Sequence, residues 1–133
     1  AFLIVFMSSA YSLLNGGVTF LLEFEKYARV EVAFWYRGDD DTSPILWVAS
    51  HEINDENFDL AYGEVIRIAA AMRDPNFDAF QVKVVSADDR LAKAALELMQ
   101  RYGGKIPAHY HSRTIGGITV GEIYIYPLPV AAA

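Results

Sequence analysis

The chain contains no cysteine among its 133 residues. This absence excludes disulfide bonds, thiolate nucleophiles, and zinc or iron–sulfur sites built from cysteine. It does not fix the compartment, because a cysteine-free chain is compatible with oxidising and reducing environments alike. A soluble, cytoplasmic protein is the expectation.

Positive charge is also scarce: 11 Lys and Arg residues stand against 17 Asp and Glu residues, for a net charge of −6. Nucleic acids and anionic membrane surfaces are bound through cationic patches, so neither is expected as a partner. An acidic domain is suited instead to a basic protein, since opposite charge steers the encounter. Trp35 and Tyr124 are predicted to lie exposed at strand edges. Together these features predict an acidic binding module of the inhibitor or immunity type.

Long hydrophobic runs are missing as well. The apolar run at 2–7 is far shorter than the roughly 20 residues that a membrane-spanning helix needs, and no Lys or Arg precedes it as in a signal peptide. We interpret 2–7 as a strand that is buried on both faces or donated to a second copy, which favours a homo-oligomer or an assembly subunit. The start at Ala1 is compatible with loss of an initiator Met or of a longer leader, and both remain open.

Hydrophobic periodicity predicts the remaining elements. Apolar residues that alternate along the chain, or run together in short stretches, predict strands at 18–24, 30–36, 45–49, 79–85, 106–112 and 118–126. Helical spacing predicts helices at 57–73 and 88–102. Asn15-Gly16-Gly17 is interpreted as a turn, and 18–24 with 30–36 as an antiparallel hairpin.

The expected fold is a single α+β domain over 1–133, built as a two-layer sandwich. Its sheet is mixed but mainly antiparallel, with about six to eight strands, and two helices pack on one face. The order strand–helix–strand–helix–strand between 45 and 112 predicts two right-handed crossovers with parallel pairs in the middle of the sheet.

The C-terminal segment is the most informative part of the sequence. Gly116-Gly117 fits a two-residue hairpin turn, which requires positive φ. With that turn Ile115 faces Ile118, and the same register brings polar residues together on one face of the two strands. The resulting cross-strand pairs are His111 with Glu122, His109 with Tyr124, and Arg113 with Val120.

This constellation predicts two kinds of chemistry. His109, His111, Arg113 and Tyr124 are the candidate catalytic residues, with the imidazoles exchanging protons and Arg113 stabilising a developing anion. The candidate metal ligands are His109, His111, Glu122 and His51, a set that suits a divalent zinc, manganese or iron ion. The sequence thus offers a small metal-dependent or acid–base hydrolase or lyase as the alternative to the binding module.

A plainer interpretation stays open beside these. A polar hairpin face is often simply solvated, and a cross-strand His–Glu pair is then worth little. His51, which follows the strand at 45–49, is equally compatible with a helix cap or with exposure to solvent. The chain carries neither a phosphate-binding loop nor a Gly-x-Ser-x-Gly nucleophile elbow. The candidate catalytic residues therefore all lie on the predicted C-terminal hairpin.

Overall fold

In a computed structural model the backbone is described for residues 2–38, 43–101, 108–115 and 118–128, and the side chains for 12–38, 43–101 and 121–128. These residues form three α-helices, five strands and one 3₁₀ turn, at Ala79–Gln81. In chain order the elements are α1 (Phe2–Phe24), β1 (Val32–Arg37), β2 (Ile45–Ser50), α2 (Phe58–Met72), β3 (Val82–Ser86), α3 (Arg90–Arg101), β4 (Ala108–Ile115) and β5 (Ile118–Ile125).

The strands form one mixed sheet in the order β3-β2-β1-β5-β4. Only β2 and β3 pair in parallel, and the other neighbours are antiparallel. The α+β class is therefore confirmed. The predicted six to eight strands are wrong, because the described part of the chain has five.

Helices cover both faces of the sheet. One face, the α1/α2 face, packs Trp35 and Val48 against α1 and α2. The other, the α3 face, packs Phe34 and Ile125 against α3. Phe34 and Trp35 are consecutive and only 0% and 5% exposed, which requires a cover on each side because neighbouring strand residues point opposite ways. The predicted two-layer sandwich with two helices on one face is wrong, as is the predicted exposure of Trp35.

The N-terminal segment is a helix and not two strands. α1 spans both the predicted strand at 2–7 and the predicted strand at 18–24. Phe20, Leu21 and Phe24 are fully buried, and their spacing of one and four residues is helical. The idea of a strand donated between protomers thus loses its basis. Within the described residues, no helix is long and apolar enough to cross a membrane.

The two predicted crossovers have different outcomes. The first is present as β2-α2-β3, with β2 and β3 parallel. Its predicted place in the middle of the sheet is wrong, because β3 is an edge strand of the described sheet. The second is wrong, because α3 leads from β3 to β4 at the far edge of the sheet, where β4 pairs only with β5 among the described strands. Val82 and Val84 are buried as predicted, but Phe80 is 91% exposed because it belongs to the 3₁₀ turn that precedes β3.

Candidate functional site

The C-terminal hairpin has the predicted register. β4 and β5 pair antiparallel, and Ile115 lies opposite Ile118. The turn residues 116–117 themselves lie outside the described part of the chain. The polar pairs are His109 with Tyr124, His111 with Glu122, and Arg113 with Val120.

Strand β1 adds a residue that the sequence did not single out. β1 pairs with β5 on the side away from β4, so that Arg37 lies opposite Glu122 and Trp35 opposite Tyr124. Residues that pair across a sheet share a face, with Cβ atoms about 5 Å apart. Two rows therefore cross three strands on the α1/α2 face. They are Arg37–Glu122–His111 and Trp35–Tyr124–His109.

We call this region the hairpin site. It comprises the side chains of Arg37, Glu122 and Tyr124 together with the strand positions of His109, His111 and Arg113. Five of its residues come from the local β4–β5 hairpin and one from β1, which is distant in sequence, so the pairing of β1 with β5 completes the site. The register thus brings together all the candidate residues except His51.

An ion pair lies at the centre of the hairpin site. Arg37 Nη2 is 3.7 Å from Glu122 Oε2, and the two side chains are 33% and 31% exposed. A pair that is this long and this accessible to water contributes little to stability. It does hold a guanidinium beside the carboxylate, which opposes the binding of a metal cation there. No group of three or more metal-ligating residues occurs among the described side chains, which do not include the candidate ligands His109 and His111.

Tyr124 is half-buried, in contrast to the predicted exposed edge residue. Burial raises the pKa of its phenol, so the hydroxyl stays protonated at neutral pH and remains a hydrogen-bond donor. Its ring meets the Tyr126 ring edge-on, with centroids 5.2 Å apart. The aromatic contact fixes Tyr124 on the side of the sheet that bears Glu122.

Tyr126 is anchored in turn to β1 and α1. Its buried hydroxyl accepts a hydrogen bond from Trp35 Nε1 at 2.8 Å and donates one to the Leu14 carbonyl at 2.7 Å. Helix α1 reaches this hydroxyl because Gly17 has no side chain: a Cβ there would lie 2.1 Å from it. Helix α1 and strands β1 and β5 thus form a rigid support next to the hairpin site.

His51 lies at the other end of the sheet. It is exposed and directly follows β2, whose residue Ala49 pairs with Val32 at the start of β1. Glu122 pairs with Arg37 at the end of β1. A strand rises about 3.3 Å per residue, so roughly 17 Å of sheet separates the two levels. The structure does not bring His51 to the other predicted ligands.

A second feature lies where the parallel strands end. A cleft of about 400 Å³ opens beyond the carboxyl ends of β2 and β3, next to the first turns of α2 and α3. Asp55 and Asp88, both exposed, line it with the partly exposed ring of Phe58. Asp89 also lines the cleft, but its carboxylate is occupied by the backbone N–H groups of Leu91 and Ala92.

No family model matches the chain, and no curated protein or solved structure is significantly similar to it.

Proposed function

We propose that this domain is a small acid–base hydrolase or lyase whose reaction takes place at the hairpin site. The observation that carries the proposal is the pairing of His111 with Glu122 and of His109 with Tyr124 across adjacent strands. Two imidazole-bearing positions, a carboxylate and a protonated phenol then share one face, within the reach of a small substrate.

Each residue has a distinct part in this scheme. His111 accepts a proton from an attacking water or from the carbon acid of the substrate, and Glu122 orients and stabilises the imidazolium that forms. Tyr124 donates a hydrogen bond to the oxyanion as it develops. His109 donates a proton to the leaving group and regains one from solvent, while His111 releases to solvent the proton that it took up, so that both imidazoles return to their starting states. Arg113, opposite Val120 on the same face, adds positive charge for the developing anion.

Turnover of p-nitrophenyl acetate tests the proposal. Replacing His111 with alanine is expected to lower kcat/KM by roughly 100-fold, the scale of a lost general base. His51→Ala is the matched control, since it removes an exposed histidine at the other end of the sheet and should leave the rate unchanged. Equal rates in the native protein and in the His109→Ala/His111→Ala variant would refute the proposal.

A second candidate function is the acidic binding module, and the cleft beyond β2 and β3 favours it. Asp55 and Asp88 line the cleft with Phe58, and the lysine in its lining, Lys83, lies over the Trp47 ring. The acidic side chains attract a cationic side chain, and Phe58 gives it an apolar surface to lie on. A basic segment of a protein partner fits this cleft. The net charge of −6 would hasten its approach.

Binding of an oligo-arginine peptide, followed by calorimetry at low and high salt, tests this second function. Asp55→Asn/Asp88→Asn is expected to weaken binding by about tenfold at low salt, because it removes the charges at the cleft. The control Glu23→Gln/Glu97→Gln removes the same net charge from exposed helix positions. If both pairs weaken binding equally, the peptide responds only to net charge and the cleft is not its site.

A further inference from the structure

We infer that the ligand of the hairpin site is a small molecule with an oxyanion group, a carboxylate or a phosphate, and that Arg37 binds this group. The inference rests on the proposed function, since it names the substrate class for the same site. Its own basis is the charge of the site and the geometry of Arg37.

The charge of the hairpin site is opposite in sign to the net charge of the chain. The protein carries six more acidic than basic residues, yet Glu122 is the single carboxylate among the six residues that define the site. The two arginines, Arg37 and Arg113, outnumber it. A negatively charged group is therefore attracted to this face, although the chain as a whole is acidic.

Arg37 is positioned to take such a group. Guanidinium groups bind carboxylate and phosphate through two parallel N–H···O bonds, a geometry that lysine cannot reproduce. The 3.7 Å contact to Glu122 is loose compared with the 2.7 Å between Arg67 and Glu64 on α2. A ligand oxyanion competes with the groups that hold Arg37, Glu122 among them, for a guanidinium that is already placed at the site and is one-third exposed.

Glu122 thus has two opposed effects. Its carboxylate orients His111 in the proposed reaction, and it also competes with the ligand for Arg37. Glu122→Gln removes both effects and keeps the shape of the side chain. Oxyanion affinity and turnover should therefore change in opposite directions in this one variant, an outcome that a purely structural role for Glu122 does not produce.

The experiment is a titration of the native chain with inorganic phosphate and, separately, with acetate, followed by NMR of the backbone amides. Saturable shifts are expected at Arg37, Glu122 and Tyr124 with at least one of the two anions. The anion that binds more tightly identifies the group on the ligand. Sodium chloride at equal ionic strength should not reproduce the shifts.

Variants locate the site. Arg37→Gln should weaken binding at least about tenfold, the loss expected for a charge-assisted contact, and Arg37→Lys should recover only part of it. Arg67→Gln, which removes a paired arginine from α2, should bind as the native chain does. Glu122→Gln should bind several-fold more tightly. Unchanged affinity in Arg37→Gln, or no saturable shift with either anion, overturns the inference.

The two proposals fail separately. If phosphate and acetate leave the amides unshifted while His111→Ala still abolishes ester turnover, the acid–base site stands and its ligand is not an oxyanion. If Arg37-dependent binding is present but His111→Ala keeps the native rate, the oxyanion site stands and the proposed catalysis is wrong.

Discussion

Gly17→Ala is expected to lower the free energy of unfolding by about 2–3 kcal/mol, the cost of overpacking a well-filled interior. A Cβ at position 17 would lie 2.1 Å from the Tyr126 hydroxyl oxygen, 2.9 Å from its Cζ and 3.1 Å from Trp35 Nε1. All three atoms belong to buried side chains that are held by a mutual hydrogen bond. Either α1 must move away from the sheet or the Trp35–Tyr126 hydrogen bond must break.

Gly63→Ala is the matched control, because Gly63 lies in α2 and a Cβ added there would have open space within 4 Å. Alanine is the better helix former, so this change should raise stability by about 0.5–1 kcal/mol. Urea unfolding of the two variants gives both values. A Gly17→Ala protein as stable as the native one would show that α1 does not pack on Tyr126 as described.

Gly17 also explains why local patterns mispredict the N-terminal helix. Paired glycines such as Gly16-Gly17 usually mark a turn, and Val18, Phe20, Leu22 and Phe24 alternate like a strand. The same apolar stretch also satisfies a helical spacing. What decides between the two is the close approach of α1 to Trp35 and Tyr126, and Tyr126 lies more than a hundred residues away along the chain. Local patterns carry no information about that contact.

The same distinction between local and long-range contacts applies to the hairpin site. The register of β4 on β5 is predictable because a tight turn and an apolar/polar alternation fix it locally. Arg37 is not identified from the sequence: the predicted strand ends at residue 36, one residue before it, and its role depends on β1 pairing with β5. The cross-strand pairs within the β4–β5 hairpin can therefore be predicted from the sequence, whereas the position of Arg37 beside Glu122 cannot.

The Tyr126 hydroxyl is the second position where a small change should have a large effect. Tyr126→Phe is expected to cost about 2–3 kcal/mol, because the buried Trp35 Nε1–H then has no acceptor and a buried polar group without a partner is costly. The ring itself, 1% exposed, keeps its packing.

Combining Gly17→Ala with Tyr126→Phe tests whether the two substitutions act through one contact. The Gly17→Ala/Tyr126→Phe protein should lose less stability than the sum of the single losses, since the atom closest to the new Cβ is gone.

The same hydroxyl should make the native fold sensitive to high pH. Burial raises the pKa of Tyr126 well above its ordinary value of 10.0; the hydrogen bond from Trp35 acts in the opposite direction, and Tyr124 adds a smaller increase. Above pH 10 the unfolded chain releases this proton while the folded chain retains it, so stability falls as pH rises, by at most about 1.4 kcal/mol per pH unit for one proton. Urea unfolding between pH 9 and 11 should show a weaker pH dependence in Tyr126→Phe than in the native protein. An identical slope in both would mean that the Tyr126 hydroxyl ionises as freely in the folded protein as in the unfolded chain, which would contradict its burial between α1 and the sheet.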